Sequence, residues 1–198
     1  MKRFRYEIIG ISEVRWTGKG ETPSGDLIWS GEERTHTRGV GFLLSKQAKK
    51  ALIGYNPINS WIITARFNAS PFKMTVMHVY APTSTFSEED IEAFYNDIDE
   101  VLSKTDKRDV IILTGDWNAK IGSDNSDWKP VMGRYGYSDR NERGERLLEF
   151  ATAHNLYVCN SRFQNKSDRK WTWASPGGVQ RQTAIQEIEK RSTTVPRS

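Results

Sequence analysis

The strongest indication of the fold is an uninterrupted apolar run at positions 110–113, within the segment DVIILTGDWNAKIG. Such a run predicts a strand that is buried on both faces, because a half-exposed strand would alternate apolar and polar residues. A sheet containing this strand needs packed layers on both of its sides. Asp116 and Asn118 follow almost at once. The buried strand therefore carries a carboxylate and a carboxamide to its end.

Further strands and two helices are predicted around this central strand. The apolar spacing of residues 87–103 is that of an amphipathic helix with Ser87 as its N-cap, and residues 142–155 predict a second helix. A connection of hairpin length joins segments 60–67 and 73–80, so this pair is predicted to be antiparallel. The other predicted strands are 6–14, 27–29, 39–45, 156–161 and 170–175. Helices mixed with strand pairs predict an α/β fold, a two-layer mixed β-sandwich flanked by helices.

Length and composition set the domain organisation. A chain of 198 residues is long enough for one well-packed domain. The sequence becomes polar from Gly177 onward and loses its strand pattern. We therefore predict a domain over residues 1–178 and a divergent, poorly packed polar tail with a short helix over residues 179–198. The single cysteine, Cys159, excludes an internal disulfide or a thiolate metal cluster in this sequence.

The same features limit the location and the partners of the chain. No apolar run approaches the roughly 20 residues that span a membrane, and the basic start is not typical of a secretory signal. One cysteine indicates a reducing compartment, so we expect an intracellular protein, nuclear or cytoplasmic. A net charge of +4 is a mild preference for anionic partners.

Polar groups of one chemical kind are predicted at the ends of three strands. Glu13 closes the first strand, Tyr80 closes another, and Asp116 with Asn118 follows the central one. Carboxylate oxygens suit Mg²⁺, which takes one or two protein carboxylates together with waters and phosphate oxygens. Asp and Asn are also common turn residues, and a turn explains Asp116 and Asn118 about equally well. The pattern by itself leaves both explanations open.

Six segments, in this order, resemble the endonuclease/exonuclease/phosphatase family: GISEVRW, GVGFLLS, VYAPTS, LTGDWNAKIG, RNERGERLLEFATAHNLYVCNS and WTWASPGG. The resemblance is strongest to the endonuclease domains of non-LTR retrotransposons and their craniofacial-development-protein-like derivatives. It covers about residues 6–178, and GDWNA is its most specific motif. The resemblance implies a DNase I-like sandwich with a phosphodiesterase site, dependent on Mg²⁺ or Mn²⁺, at one edge.

The resemblance also implies roles for individual residues. Glu13 matches the metal-binding glutamate, Tyr80 the phosphate-contacting tyrosine, and Asp116 and Asn118 the pair that activates water and steadies the phosphate. Weaker matches suggest substrate contacts; they are Asn141, Trp173 and Arg15. Basic residues near the expected site are compatible with contacts to a nucleic-acid backbone, although such charges are more often simply solvated; they are Arg15, Lys19, Arg140 and Arg143.

The chain departs from the family pattern at both ends, so we expect an incomplete domain. The family's earlier strand with an active-site Asn is not matched, and neither are the later strand with a catalytic Asp and the Ser-Asp-His motif. The three histidines, His36, His78 and His154, have no matching context. His78 should point the same way as Tyr80, but packing within the sheet is its favoured role.

Three functional hypotheses follow from these observations. The first is a metal-dependent DNA endonuclease of retrotransposon origin, impaired because part of the catalytic set is missing. The second is a catalytically dead fragment that binds nucleic acid or protein weakly. The third is a phosphatase acting on a small substrate, which the retroelement-like motifs make less favourable. The sequence does not indicate an oligomeric state.

Overall fold

The computed structural model describes residues 6–83, 85–164, 173–174, 181–182 and 185–190. Within these ranges no helix combines the length and the apolar character that crossing a membrane requires.

The described residues form fourteen strands and three α-helices. In chain order the strands are β1 (Ile8–Ser12), β2 (Lys19–Glu21), β3 (Leu27–Ser30), β4 (Val40–Leu44), β5 (Leu52–Asn59), β6 (Ile62–Phe67), β7 (Met74–Tyr80), β8 (Val110–Asp116), β9 (Ile121–Gly122), β10 (Tyr137–Arg140), β11 (Leu156–Val158), β12 (Trp173–Ala174), β13 (Arg181–Gln182) and β14 (Ile185–Lys190). The helices are α1 (Lys46–Ala51), α2 (Glu88–Lys104) and α3 (Glu142–Ala153).

Two large sheets organise the fold. The smaller has four strands in the order β1-β4-β3-β2, all antiparallel. The larger has six strands in the order β11-β14-β8-β7-β6-β5, and within it β7 and β8 are parallel whereas the other neighbours are antiparallel. The predicted antiparallel pairing of β6 with β7 is confirmed. β9 pairs with β10 and β12 pairs with β13 in two small ribbons.

Two apolar cores cover the two faces of the six-stranded sheet. The inner core lies between the large sheets and includes Phe42 from β4 with Ile63 and Val76 from β6 and β7. The outer core packs the opposite face of the six-stranded sheet against α2 and α3. The predicted mixed sandwich with flanking helices is therefore confirmed.

In β8, Ile111 and Leu113 are buried in the outer core, whereas Val110 and Ile112 on the opposite face are half-buried. The unbroken apolar run therefore marks one buried face and one partly covered face, and the prediction of burial on both faces is right for the outer face alone.

Helix α2 has the predicted start and the predicted buried face. The Ser87 hydroxyl caps it by accepting a hydrogen bond from the Asp90 N–H at 3.2 Å, and the Asp90 carboxylate accepts one from the Ser87 N–H at 3.2 Å. Ile91, Phe94 and Ile98 are buried against the outer core, whereas Val101 is half-buried. The helix thus lies outside the sheets, as its spacing predicted.

The prediction of a poorly packed tail with a short helix is wrong for the residues that are described there. Residues 185–190 form β14, which lies inside the six-stranded sheet between β8 and β11. Ile188 is fully buried in the outer core. The polar segment IQEIEK does not look like a strand in the sequence. Backbone hydrogen bonds to the neighbouring strands on both sides stabilise it, and a local sequence pattern does not record them. The domain boundary at residue 178 stays a prediction.

Smaller differences concern strand ends and short elements. The predicted strand 156–161 ends at Val158 and continues as a 3₁₀ turn, Cys159–Ser161. The predicted strand 170–175 is described only at β12. The strand ending in Asp116 includes this residue, which was expected just beyond it. β2, α1 and β5 were not predicted, because they are short or lack a clear alternation of apolar residues.

A buried carboxylate anchors the start of β8. Asp109 accepts bonds from the Arg66 guanidinium at 2.7 and 2.8 Å and from the Thr75 hydroxyl at 2.8 Å. Burial by itself would raise the pKa of Asp109, but these hydrogen bonds outweigh it and hold the pKa below its usual value. The three residues tie β6 and β7 to the beginning of β8 and thereby help to set the strand register.

The outer core predicts the result of a matched pair of substitutions. Ile98→Ala should lower the free energy of unfolding by roughly 3 kcal/mol, because it leaves a cavity under α2 where Ile98 is fully buried. Ile53→Ala removes the same atoms from a side chain that is 51% exposed, and should cost much less. Urea denaturation of both variants measures the difference, and equal losses would contradict the packing of α2.

Candidate active site

The parallel pairing of β7 with β8 brings two predicted site residues side by side. Tyr80 and Asp116 are direct partners in the register and stand at the ends of their strands. The chain leaving Tyr80 stays attached, since the Ala81 N–H donates to the Asp116 carbonyl at 2.8 Å. Strand alternation turns both side chains toward the four-stranded sheet. A phenol and a carboxylate thus share one sheet edge.

Glycine is required directly before Asp116. Gly115 has a φ of 144°, a conformation that other residues rarely adopt. A Cβ atom at this position would lie 1.9 Å from the carbonyl oxygen of Val79 on β7. The close approach of β7 and β8 at the site therefore requires a residue without a side chain at position 115.

Glu13 reaches the same place from the other sheet. It follows β1 in a left-handed conformation with φ of 56°. Tyr80 donates its hydroxyl to Glu13 Oε1 at 2.8 Å, and Arg15 Nη2 donates to Oε2 at 2.7 Å. The loop itself is held by backbone bonds from Val14 to Gly39 and from Arg15 to Arg38. Glu13 and Tyr80 therefore connect the two layers of the sandwich at their edge.

Asn118 completes the group by a local turn. Its backbone N–H donates to Asp116 Oδ1 at 3.0 Å, and its side-chain Nδ2 donates to the Ala81 carbonyl at 2.7 Å. The residue adopts a left-handed φ of 47°, which asparagine tolerates better than most residues. The turn explanation and the site explanation are thus compatible, because the turn is what holds Asn118 beside Asp116.

The electrostatics of the site separate its two carboxylates. The hydrogen bond from Tyr80, followed by that from Arg15, lowers the pKa of Glu13, so this carboxylate is charged at neutral pH. Burial raises the pKa of Asp116, and the negative charge of Glu13 adds to the rise. Burial and the bond to Glu13 raise the pKa of Tyr80 to about 12, so its hydroxyl stays protonated and can donate. The site thus combines a glutamate whose pKa lies below its ordinary value with an aspartate whose pKa lies above its ordinary value.

The donor set suits a divalent cation that needs few protein ligands. Among the described residues no group of three or more His, Cys, Asp or Glu side chains could hold a metal ion alone. Mg²⁺ takes only one or two protein carboxylates and completes its shell with water and phosphate oxygens. The exposed Glu13 carboxylate and the neighbouring Asp116, whose pKa the Glu13 charge raises, supply these one or two carboxylates.

Two weaker predictions of substrate contacts concern Asn141 and Trp173. Asn141 caps α3, and its Oδ1 accepts bonds from the backbones of Lys120 and Gly144, each at 2.9 Å. Its established contacts are therefore structural, and a substrate contact stays a prediction. The backbone of Trp173 belongs to β12, while its side chain lies outside the described part of the structure.

The four basic residues do not form one free cationic surface. Arg15 pairs with Glu13 inside the site. Lys19 donates to the carbonyls of Pro57 and Ile58, and Arg140 donates to the carbonyl of Ile121 at 3.0 Å. Arg143 pairs with Glu88 at 3.0 Å. Apart from Arg15, these side chains mainly hold loops and helices in place.

The three histidines, all in the described part of the chain, do not hydrogen-bond to the side chains of Glu13, Tyr80, Asp116 or Asn118. His78 does point the same way as Tyr80, but it is buried between the sheets, bonds to Ser12 Oγ at 3.2 Å and packs on Phe42. Burial lowers the pKa of His78 to about 4, so it is neutral under ordinary conditions. The favoured prediction, a histidine packed within the sheet, is confirmed. His36 bonds to the Arg15 carbonyl and His154 packs on Phe150.

Sequence reasoning missed a cluster of Trp61, Phe86 and Arg38 beside Tyr80, which we call the aromatic shelf. The rings of Trp61 and Tyr80 have centroids 5.7 Å apart, and those of Trp61 and Phe86 5.3 Å. The Arg38 guanidinium lies over Trp61 at 4.5 Å and over Phe86 at 5.2 Å. The residues come from three separate segments, so no local pattern marks them as neighbours. The one sequence signal for this cluster was the large aromatic side chain of Trp61, which stands between the polar Ser60 and the start of a strand.

Comparison with known sequences gives the family of the chain. The family described as "Endonuclease-reverse transcriptase" matches residues 74–177, a segment that contains Tyr80, Asp116 and Asn118 and makes up just over half of the chain. The chain belongs to the endonuclease/exonuclease/phosphatase family. The resemblance predicted from the ordered motifs is thereby confirmed.

Two curated relatives are similar to this chain over a longer segment than the family match. Craniofacial development protein 2 of Bos taurus is 41% identical over 180 residues, which cover 90% of this chain and 30% of the bovine protein. The protein of the same name from Tragulus javanicus is 39% identical over 180 residues, covering 90% of this chain and 31% of that protein. The chain thus spans less than a third of the length of these relatives.

Solved structures of the endonuclease/exonuclease/phosphatase family share the fold at low sequence identity. The endonuclease domain of TRAS1, a telomere-specific non-LTR retrotransposon, superposes with a TM-score of 0.60 and 17% identity, over 93% of this chain and 73% of that one. Danio rerio TDP2 complexed with single-strand DNA product gives a TM-score of 0.61 and 10% identity, over 96% and 73% of the two chains. At these identities the likeness establishes the DNase I-like fold.

The glycine before Asp116 predicts a clear stability effect. Gly115→Ala should lower the free energy of unfolding by at least about 2 kcal/mol, because both its φ and its contact with the Val79 carbonyl oppose a Cβ atom. Gly54→Ala on β5 is the control, since a Cβ there would meet nothing within 4 Å. Thermal unfolding of the two variants compares them, and an unchanged midpoint for Gly115→Ala would refute the proposed close approach.

The bond between Tyr80 and Glu13 predicts a reciprocal shift in ionisation. In Glu13→Gln, measured without divalent cations, the pKa of Tyr80 should fall from about 12 but stay above its ordinary value, because burial, the larger cause, remains. In Tyr80→Phe, the pKa of Glu13 should rise, because its main hydrogen bond is lost. NMR titration with labelled tyrosine and glutamate measures both values. Unchanged values in the two variants would show that the side chains do not interact in solution.

Proposed function

We propose that this domain is a Mg²⁺- or Mn²⁺-dependent phosphodiesterase that cuts the backbone of DNA. The observation that carries the proposal is the convergence of Glu13, Tyr80, Asp116 and Asn118 at one edge of the sandwich. These side chains come from both sheets and from distant parts of the sequence. A structural turn accounts for Asn118 alone, but not for a shared edge where the pKa of one carboxylate is lowered and that of the other is raised.

Each residue has a role that follows from its chemistry. Glu13, exposed and ionised, would hold the cation, which supplies charge stabilisation at the phosphate when it is bound. Asp116, with its raised pKa, would orient the attacking water and accept its proton. Tyr80, which stays protonated, would donate to a phosphate oxygen. Asn118 is fixed by the Ala81 carbonyl and would steady the phosphate beside Asp116.

The proposed cation also assigns a task to Arg15. Its guanidinium now contacts the Glu13 oxygen that a cation would approach. Arg15 is 62% exposed, so it can turn away at little cost and place its charge on the DNA backbone. The ion pair is therefore compatible with cation binding and keeps Glu13 ionised before the cation arrives.

The comparisons support DNA as the substrate and a retrotransposon origin. The matching family is described as an endonuclease associated with reverse transcriptase, and TRAS1 is a retrotransposon endonuclease. TDP2 was captured with single-strand DNA product. An intracellular location, nuclear or cytoplasmic, accompanies this proposal and stays a prediction from the sequence.

We further propose that the 198-residue chain cuts slowly. A histidine is the usual choice for an acid–base group, but none of the three bonds to Asp116. His78 bonds to Ser12 Oγ, His36 bonds to the backbone carbonyl of Arg15, and His154 lies 3.6 Å from Asp99. Loss of one positioned acid–base group typically lowers a rate by about 10²–10⁴-fold. If the rate falls to zero, the remaining function is binding of nucleic acid without cleavage, which the intact cleft would still permit.

A plasmid-nicking assay tests the proposal. Purified chain with Mg²⁺ or Mn²⁺ should convert supercoiled plasmid to nicked circles more slowly than the TRAS1 domain, by about 10²-fold or more. Asp116→Asn should abolish the remaining activity, and chelation with EDTA should do the same. Asp99→Asn is the matched control, because this carboxylate lies on the exposed face of α2 and is 60% exposed.

The outcomes separate the alternatives. Metal-dependent nicking that Asp116→Asn removes and Asp99→Asn spares supports the endonuclease. Nicking as fast as that of the TRAS1 domain would contradict the proposed impairment. Nicking that persists in Asp116→Asn would show that the site does not perform the cleavage. DNA binding without any nicking would favour the binding module.

A further inference from the structure

We infer that the aromatic shelf of Arg38, Trp61 and Phe86 binds an unpaired nucleobase next to the phosphate that Tyr80 contacts. The inference rests on the proposed function only in taking a nucleic-acid backbone as the ligand of the site. The shelf begins one ring away from Tyr80, whose centroid is 5.7 Å from that of Trp61. A base attached to the bound phosphodiester would therefore meet an aromatic and cationic surface as its first neighbour.

Trp61 is held in place before any ligand arrives. Its backbone N–H donates to the Asn59 side-chain oxygen at 2.9 Å, and its backbone carbonyl accepts from the Tyr80 N–H at 2.9 Å. Asn59 is in turn fixed to Asp97 on α2 at 2.8 Å. The backbone that carries the Trp61 ring is thus tied both to Tyr80 and to α2, and the ring itself packs against the outer core. Rigid mounting lowers the conformational entropy that binding would otherwise cost.

Arg38 forms the outer layer of the shelf. Its guanidinium spans Trp61 and Phe86, and an ion pair with Glu32 at 2.9 Å holds it in that position. The Arg38 side chain is 33% exposed, so part of it still faces solvent. Bases stack on guanidinium planes as well as on aromatic rings. The arginine therefore presents a stacking surface with a positive charge beside a site for phosphate.

The shape and chemistry favour an unpaired base over other occupants. Proteins that bind single strands combine cations that follow the backbone with aromatic groups on which bases stack. Within a duplex the bases cover one another, so a side chain reaches their faces only at an end, a flap or an extruded nucleotide. A lipid headgroup or a protein carboxylate would use the charge of Arg38 but gain little from Trp61 and Phe86. The shelf suits DNA that is single-stranded or frayed next to the cut.

The cluster also contributes to packing, since Trp61 contacts the outer core. A test must therefore remove stacking without removing volume. Phe86→Leu keeps an apolar side chain under Arg38 but removes the aromatic face, and Phe86→Tyr restores that face. Phe72→Ala is the control, because Phe72 is 44% exposed and precedes β7 at the end opposite to Tyr80.

Fluorescence anisotropy with labelled oligonucleotides, in EDTA to prevent cleavage, measures the effect. The native chain should bind a single-stranded oligonucleotide about tenfold more tightly than the same strand with abasic nucleotides, which keeps every phosphate but lacks the bases. Phe86→Leu should lose most of that advantage while binding the abasic strand and blunt duplex as before. Phe86→Tyr and Phe72→Ala should behave like the native chain.

The results are independent of the nicking assay. Equal affinity of the native chain for the normal and abasic strands would overturn the inference, even if plasmid nicking is robust. A Phe86→Leu loss that is the same for normal strand, abasic strand and duplex would also overturn it, because the effect would then be structural. A loss confined to strands with bases supports the shelf, even if the chain nicks no plasmid and the proposed cleavage fails.

Discussion

The parallel pairing of β7 with β8 is the interaction on which the site and much of the packing depend. It sets Tyr80 opposite Asp116 and joins the two halves of the six-stranded sheet at its centre. At one end of the pair, Gly115 lets the backbones approach where a side chain would collide with Val79. At the other end, Asp109 binds Thr75 and Arg66 and so prevents the strands from slipping. A slip of one residue would turn the Asp116 side chain to the opposite face of the sheet.

The site also depends on the contact between the two sheets. Glu13 belongs to the four-stranded sheet and Tyr80 to the six-stranded sheet, and their hydrogen bond spans the edge of the sandwich. The inner core, with Phe42 opposite Val76, keeps the sheets at the distance this bond requires. A left-handed backbone at Glu13 carries a strain that the surrounding loop bonds offset. Packing of the core and geometry of the site are therefore coupled, so core substitutions near the edge would also disturb the carboxylate.

Electrostatics give the two carboxylates at this sheet edge different properties. Exposure and two donors keep Glu13 ionised, whereas burial and the neighbouring charge raise the pKa of Asp116. This separation is the arrangement expected where one group holds a cation and another accepts a proton. The aromatic shelf lies beside Tyr80 and adds groups of a different kind, which could hold a base through stacking. Phosphate and base would then be bound by adjacent surfaces that share the Tyr80 ring.

The sequence by itself determined the elements that a local pattern of residues marks. The apolar stripe and the Ser87 cap define α2, and the unbroken apolar run defines β8, because these signals do not depend on distant neighbours. The ordered motifs also identified Glu13, Tyr80, Asp116 and Asn118 as site candidates. Tertiary structure alone decided the elements and side-chain clusters whose partners come from distant parts of the chain. Residues 185–190 become a strand because β8 and β11 bond to it on both sides, and Arg38 meets Trp61 and Phe86 only when the two sheets pack. Local propensity carries no information about such long-range pairings, since their free energy arises only after the chain has folded.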